Sequence, residues 1–308
     1  MSDELMLQQV MIERTHNRRE IGNIIRNEII GSYNEGDFTP LDTAIELLEE
    51  WLWLDDHGYK SKNDRVRALR ADPDFSAEEV ILNILTCLLS SPTASTIQNV
   101  AAYAASTFDL GDIYNNIKTA SEMIAVMVDA DLYDIILPKN SETGSLMVEA
   151  NFQLTEDVIS DIAMRHYLPP MLVKPNRVTN NFDCGYMTVR EHLVLKAHNS
   201  DNVAPLNYEA INITNAIPLS LDTHMLQWKE EITEKHDTMA KILNFERMAK
   251  ASRRVYDLML RNGNKFYAPN RYCARGRMHM QGYHINLQSN KYKRSLINLN
   301  KKVLIGGI

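Results

Sequence analysis

Cysteine is scarce. Cys87, Cys184 and Cys273 are the only three in 308 residues, and they stand about ninety residues apart with no CxxC pair. That spacing excludes a disulfide framework and a finger-type structural zinc site, and it fits a reducing compartment. Long apolar runs are missing too. No eighteen-residue stretch is apolar enough to span a membrane, and the opening MSDELMLQQ lacks the basic-then-apolar order of a secretory leader. The expectation is a soluble chain that is not secreted. Glycine (12) and proline (10) are too few for a collagen-like or Pro/Gly-rich disordered class, and 44% hydrophobic with 24% charged residues is an ordinary globular mixture. No internal repeat or low-complexity tract is present.

Catalytic signatures are also absent. There is no GxxxxGK[ST], GxSxG or HExxH, and no GxGxxG between a strand and a helix. The nine histidines are scattered, and His192/His198 and His279/His284 have no metal-ligand surroundings. No catalytic residue and no metal ligand is therefore assigned.

What is present is charge, unevenly spread. The net charge is -7, but residues 241–308 hold fifteen Lys and Arg against two acids, Glu246 and Asp257, a local balance of +13. Residues 1–240 carry -20. One basic end on an acidic chain points to a polyanion partner at that end, or to a basic face that a protein partner neutralises.

The first 130 residues read as helices. Thr39 before Pro40 suits an N-cap, with Leu41, Ala44, Ile45, Leu48, Trp51 and Leu52 at helical spacing. Ser76 and Glu79 form a capping-box pair ahead of Val80, Ile81, Ile84, Leu85 and Leu88. Between them lies a polar stretch read as a basic loop, with Lys60, Lys62, Arg65, Arg67 and Arg70 flanked by Asp64 and Asp72. Residues 133–153 read as two β-prone runs around a polar turn, hence a hairpin. Proline-punctuated extended pieces and a short helix ending before Pro218 follow. From Leu219 to Asn262 neither Gly nor Pro occurs in 44 residues, which predicts one long helix or a helical pair ended by Gly263. The fold class expected is α+β, mostly α.

The informative segment is Arg271-Tyr272-Cys273-Ala274-Arg275-Gly276-Arg277. Glycine lets a backbone approach a phosphate closely, and arginines bind one bidentately. Tyr272, His279 and Tyr283 interleave rings able to stack on bases.

CARGRMH resembles the DxxGR motif of the single-subunit RNA polymerases of phages and mitochondria, with Arg275, Gly276 and Arg277 matching and Cys273 standing where that family has aspartate. Further segments resemble the family in the same order. FSAEEVILNILTCLLSSPTASTIQNVAAYAAS resembles a helix pair of its N-terminal domain, and NSETGSLMVEANF sits where its intercalating hairpin sits. PPMLVKPNRVTNNFDCGYM resembles its proline-rich connector ending in Gly185-Tyr186. PLNYEAINITNAIPLSLDTHML resembles its YxAIN helix (Tyr208, Ala210, Ile211, Asn212), and SRRVYDLML with NGNKFYAPN resembles the end of its thumb and the entry into its palm.

The resemblance implies an N-terminal domain over 1–168 with hairpin 133–153, a connector and helix over 169–220, a thumb over 221–262 and the start of a palm over 263–308. The family's catalytic palm and fingers, with their metal-binding aspartates, lie C-terminal to DxxGR, and this chain stops about thirty residues past Arg277. It resembles the N-terminal subunit of a polymerase split into two polypeptides, as some podoviruses encode it. That implies an obligate heterodimer with a catalytic subunit that binds Mg²⁺, acting on template DNA and nascent RNA in the infected bacterial cytoplasm. By position, Arg275, Gly276, Arg277, Arg253, Arg254, Lys250 and His279 are expected on template or hybrid phosphates. Lys60, Lys62, Arg65 and Arg67 are expected on upstream DNA. Leu137, Pro138, Lys139 and Asn140 are expected at the tip of a bubble-holding hairpin. Cys273 leaves the motif's salt bridge in doubt, and no thiol chemistry is expected there. The short Thr107–Asp112 connection implies reduced promoter handling, with a start on single-stranded or pre-melted DNA aided by a single-strand-binding accessory protein. The rival readings are a free-standing nucleic-acid-binding transcription regulator with a polymerase-like fold and a helical phage scaffold.

Overall fold

The computed structural model describes residues 3–36, 38–91, 94–137, 145–195, 206–232 and 238–301. The fold is α+β and mostly helical, with small antiparallel sheets. In chain order the helices are α1 Asp3–Thr15, α2 Arg18–Asn34, α3 Pro40–Leu52, α4 Lys60–Ala71, α5 Ala77–Leu89, α6 Ile97–Ala104, α7 Ile113–Val126, α8 Glu156–Arg165, α9 Tyr208–Asn215, α10 Met239–Arg261 and α11 Lys291–Ser295. The strands are β1 Ser95–Thr96, β2 Tyr133–Ile136, β3 Met147–Ala150, β4 Pro218–Leu221, β5 Phe266–Tyr267, β6 Asn270–Tyr272, β7 Met278–Met280 and β8 Ile297–Leu299. Contacts divide the chain into two compact units, residues 22–158 and residues 1–21 with 159–308. No described helix is long and apolar enough to cross a membrane.

The unit 22–158 is helical because its apolar residues recur every three or four positions. Leu41, Ala44, Leu48, Trp51 and Leu52 of α3 are buried, as are Val80, Ile81, Ile84, Leu85 and Leu88 of α5. Each fully buried leucine or isoleucine contributes on the order of 2 kcal/mol. Ser76 caps α5 by accepting from Glu79 N at 3.3 Å. Thr39 does not cap α3: its backbone is already helical, and it makes no side-chain capping bond. β2 and β3 form the expected antiparallel pair, with Tyr133 opposite Ala150 and Ile136 opposite Met147. β1 adds a third strand on the other edge of β3. Tyr133 fixes the hairpin's base, because its hydroxyl donates to Ile124 O at 2.7 Å.

The basic stretch 60–70 is not a loop but helix α4, with Val66 and Leu69 buried on one face. Arg65 is buried with them, donating to Thr119 Oγ1 at 2.8 Å and to Glu122 at 2.7 Å. A helix with an apolar i, i+3 pair and a carboxylate within reach outcompetes an open basic loop.

The other unit packs Leu219, Leu221, Val255, Met259, Phe266, Met280 and Leu296 into one core. Its main sheet runs β5-β4-β8, and β6 pairs with β7 alone. The gly- and pro-free stretch is not one long helix. It opens as central strand β4, turns through 3₁₀ residues Met225–Gln227, and only then forms α10. Pairing on both edges of β4 wins over helix-favouring composition. Asn264 adds to it by accepting from Leu221 N at 2.8 Å and donating to Leu221 O at 2.9 Å. α10 buries Ala251, Ser252, Val255, Tyr256 and Met259, all in its C-terminal half.

The connector 169–195 has almost no regular structure, so its backbone groups need other partners. Glu13 of α1 supplies them. Its buried carboxylate accepts from Met187 N at 2.9 Å, Thr188 N at 2.6 Å and Thr188 Oγ1 at 2.7 Å, and Gln9 Nε2 donates to it at 2.8 Å. Glu13→Ala leaves these donors without an acceptor. It is expected to cost about 3 kcal/mol or more, read as a lower urea midpoint, with Glu13→Gln recovering part of the loss.

Candidate nucleic-acid interface

The Arg275-Gly276-Arg277 motif is the tip of the β6–β7 hairpin. Gly276 N donates to Cys273 O at 2.9 Å, and Cys273 N donates to Arg277 O at 2.9 Å. This is a three-residue loop whose last residue is left-handed, and Gly276 sits at φ 73°. A Cβ at Gly276 would meet open space. Turn geometry is by itself enough to explain the glycine.

The hairpin's base is firmly held. Asn270 N and Nδ2 donate to Asn215 Oδ1 at 2.8 and 3.0 Å, and Tyr272 OH donates to Asn207 O at 2.8 Å. Arg271 donates to His192 O at 2.7 Å and pairs with Glu191. Beyond that base, Ala274 to Met278 are exposed. Neither Arg275 nor Arg277 has an ion-pair or side-chain hydrogen-bond partner among the described residues. Two uncommitted guanidinium groups thus stand on a rigid, exposed turn.

Electrostatics favour the same end. The unit formed by 1–21 and 159–308 carries 25 bases and 16 acids, or +9, whereas 22–158 carries 8 bases and 24 acids, or -16. A polyanion is drawn to the first unit and repelled by the second.

The remaining expected contacts separate. His279 lies on β7 opposite Arg271 and is partly exposed. Tyr272 is buried, which removes it as a stacking ring, and Tyr283 is stacked on Tyr167 at 5.0 Å with Lys293 Nζ 4.0 Å from its centroid. Arg253 is half-buried and spends its guanidinium on Leu226 O at 2.6 Å and Trp228 O at 2.9 Å, so it anchors the 3₁₀ turn. Arg254 is half-buried and Lys250 exposed. Lys250 and Arg253 border a cleft of about 360 Å³ shared with Lys229, Glu230, Phe245 and Glu246.

On α4, Lys62 lies 4.0 Å from Glu122 and Arg67 3.3 Å from Asp64. With Arg65 buried, Lys60 alone of the four keeps no ion-pair partner among the described residues. Arg65 is accordingly corrected from a DNA contact to a packed one. Leu137 is exposed at the end of β2, while Pro138, Lys139 and Asn140 lie outside the described residues.

Cys273 differs from the other two cysteines. Its thiol is pulled down to about 7, first by the Arg277 backbone N–H, with the Arg275 N–H and His279 adding to it. Burial pushes Cys87 and Cys184 up. Iodoacetamide is expected to label Cys273 first, with a rate midpoint near pH 7, as mapped by mass spectrometry. Labelling that begins at Cys87 would contradict this.

The two acids of the basic C-terminal stretch, Glu246 and Asp257, do not make a two-metal centre. Glu246 and Asp257 lie eleven residues apart on α10, about 16 Å along the axis, against the ~4 Å such a centre requires. What the geometry offers is phosphate binding. No protein-family model matches the chain, and no curated protein matches it.

Proposed function

We propose that the chain is a non-catalytic subunit of a DNA-directed RNA polymerase, holding template or RNA–DNA hybrid phosphates through Arg275 and Arg277 while a partner subunit carries the two-metal nucleotidyl-transfer site. The observation that carries the reading is the uncommitted arginine pair on a braced hairpin tip in the unit of net charge +9. The order of polymerase-like segments along the chain supports it. Lys250 on α10 and His279 on β7 belong to the same unit. The β2–β3 hairpin, with Leu137 exposed at its end, suits a wedge between strands.

The α4 cations contribute little to this reading, since Lys62 and Arg65 are matched by Glu122 and Arg67 by Asp64, which leaves Lys60. Polyanion contact is concentrated instead at the basic unit. The partner subunit supplies the Mg²⁺-binding aspartates and the chemistry at the primer end. The cytoplasm of an infected bacterium and a single-strand-binding accessory protein belong to the same reading.

The test is RNA primer extension on a preassembled RNA–DNA scaffold with Mg²⁺, using this chain alone and then with the polypeptide that copurifies from infected cells. Extension only with a copurifying chain that carries the aspartates supports the split polymerase. Tight hybrid binding with no partner and no extension favours a free-standing regulator instead.

A further inference from the structure

The connection between α3 and α4 turns an apolar face to solvent. Trp53 is 69% exposed, Tyr59 75% and Leu54 49%. The loop is ordered. Asp56 Oδ1 accepts from Gly58 N at 3.0 Å and from Asn63 Nδ2 at 2.8 Å, and Asn63 Oδ1 accepts from His57 N at 2.7 Å. Three large apolar side chains held outward within seven residues mark a contact surface rather than a packing accident.

Charge selects the occupant. Glu49, Glu50 and Asp55 flank these side chains, are exposed, and have no ion-pair or side-chain hydrogen-bond partner among the described residues, against two nearby cations without an ion-pair partner there, Lys60 and Arg70. The whole unit carries -16. Nucleic acid is repelled by such a unit, whereas a basic polypeptide is attracted. Arg70 shows what the ring accepts: its guanidinium lies 5.1 Å from the Trp53 centroid, and most of Trp53 is still uncovered.

We propose that residues 49–59 form a docking surface for a basic, arginine-bearing segment of a protein partner. Its guanidinium groups stack on Trp53 and Tyr59 while Glu49, Glu50 and Asp55 match their charge. Arginine suits this surface better than lysine because its planar cation stacks on a ring and pairs with a carboxylate at once. The proposal does not depend on the polymerase reading, since the hairpin tip belongs to the other unit.

The experiment titrates the intact chain with a ten-residue arginine peptide, a ten-residue lysine peptide and a 20-nucleotide oligothymidylate, following tryptophan emission and heat at 150 mM salt. The arginine peptide is expected to bind about tenfold more tightly than the lysine peptide. The variant W53A/Y59A is expected to erase that preference. Tyr59→Ala alone, which leaves the Trp53–Arg70 stack in place, is expected to reduce it. The variant E49Q/E50Q/D55N is expected to weaken both peptides about tenfold. An arginine preference that survives W53A/Y59A overturns the proposal. So does oligothymidylate binding that W53A/Y59A abolishes, which would make the surface a stacking platform for single strands.

Discussion

Replacing Arg275 and Arg277 together by alanine is expected to lower affinity for an RNA–DNA hybrid by about a hundredfold or more without lowering the melting temperature. Each guanidinium–phosphate contact is a charge-assisted hydrogen bond worth about 1.5–3 kcal/mol, or roughly ten- to a hundredfold. Both side chains lack partners among the described residues, so removing them leaves nothing unsatisfied. The turn itself is closed by backbone bonds from Gly276 N and Cys273 N, which alanine at 275 and 277 does not touch. The dependence of binding on salt should fall in step, by about two in the slope of log affinity against log salt. Lysine at both positions should retain most of that slope but not the full affinity, because a point charge cannot grip a phosphate bidentately. Anisotropy titrations at two salt concentrations give both numbers. Unchanged affinity would move the interface away from this hairpin.

Acid should unfold the basic unit early. His16 and His284 are both buried in it, and burial pushes both imidazoles down from 6.5 to about 4. His16 Nδ1 donates to Ile12 O at 2.8 Å, with Arg165 opposing its protonation and Asp161 favouring it. His284 Nδ1 meets Ser252 Oγ at 2.9 Å, and Lys293 and His16 oppose its protonation. Among the described residues the Nε2 atom of His16 has no hydrogen-bond partner, while the backbone of Ala163 and Met164 partly offsets the burial of His284. Both folded-state values lie below the unfolded one, so the unfolded chain binds protons first as pH falls. Stability is therefore full above about pH 6.5 and is lost progressively towards pH 4. The loss is about 3 kcal/mol for each histidine, which is a large part of a typical domain's total. Urea unfolding at pH 7.5 and pH 4.5 measures it, and H16Q/H284Q should flatten the difference. An equally steep loss in the double variant would assign it to other groups.

The helical unit was legible in advance because its burial follows a three- and four-residue period, which α3 and α5 display without interruption. The hairpin at 133–153 was legible for the same kind of reason, since two short β-prone runs bracket a turn. Elements whose form depends on distant partners were not. Nothing near Leu219 announces that β5 and β8 will pair on either side of it, so a strand read as helix. Nothing near Arg65 announces Glu122, fifty-seven residues away, so a packed cation read as a nucleic-acid contact. The arginines of the hairpin tip were visible from their motif, but the rigidity of their platform depends on Asn215 and Asn207, which no local pattern singled out. Glu13 escaped notice altogether. A lone glutamate near the end of a helix has no signature, and its role appears only when an irregular connector needs acceptors.

Position 276 has a preferred handedness opposite to that of the rest of the chain. Its φ of 73° is the mirror image of ordinary backbone. An L-residue is strained there, whereas a D-alanine introduced by chemical ligation would adopt the turn without strain. It would also stiffen the unfolded chain, so the arginine-bearing tip would gain stability from an amino acid the ribosome does not use.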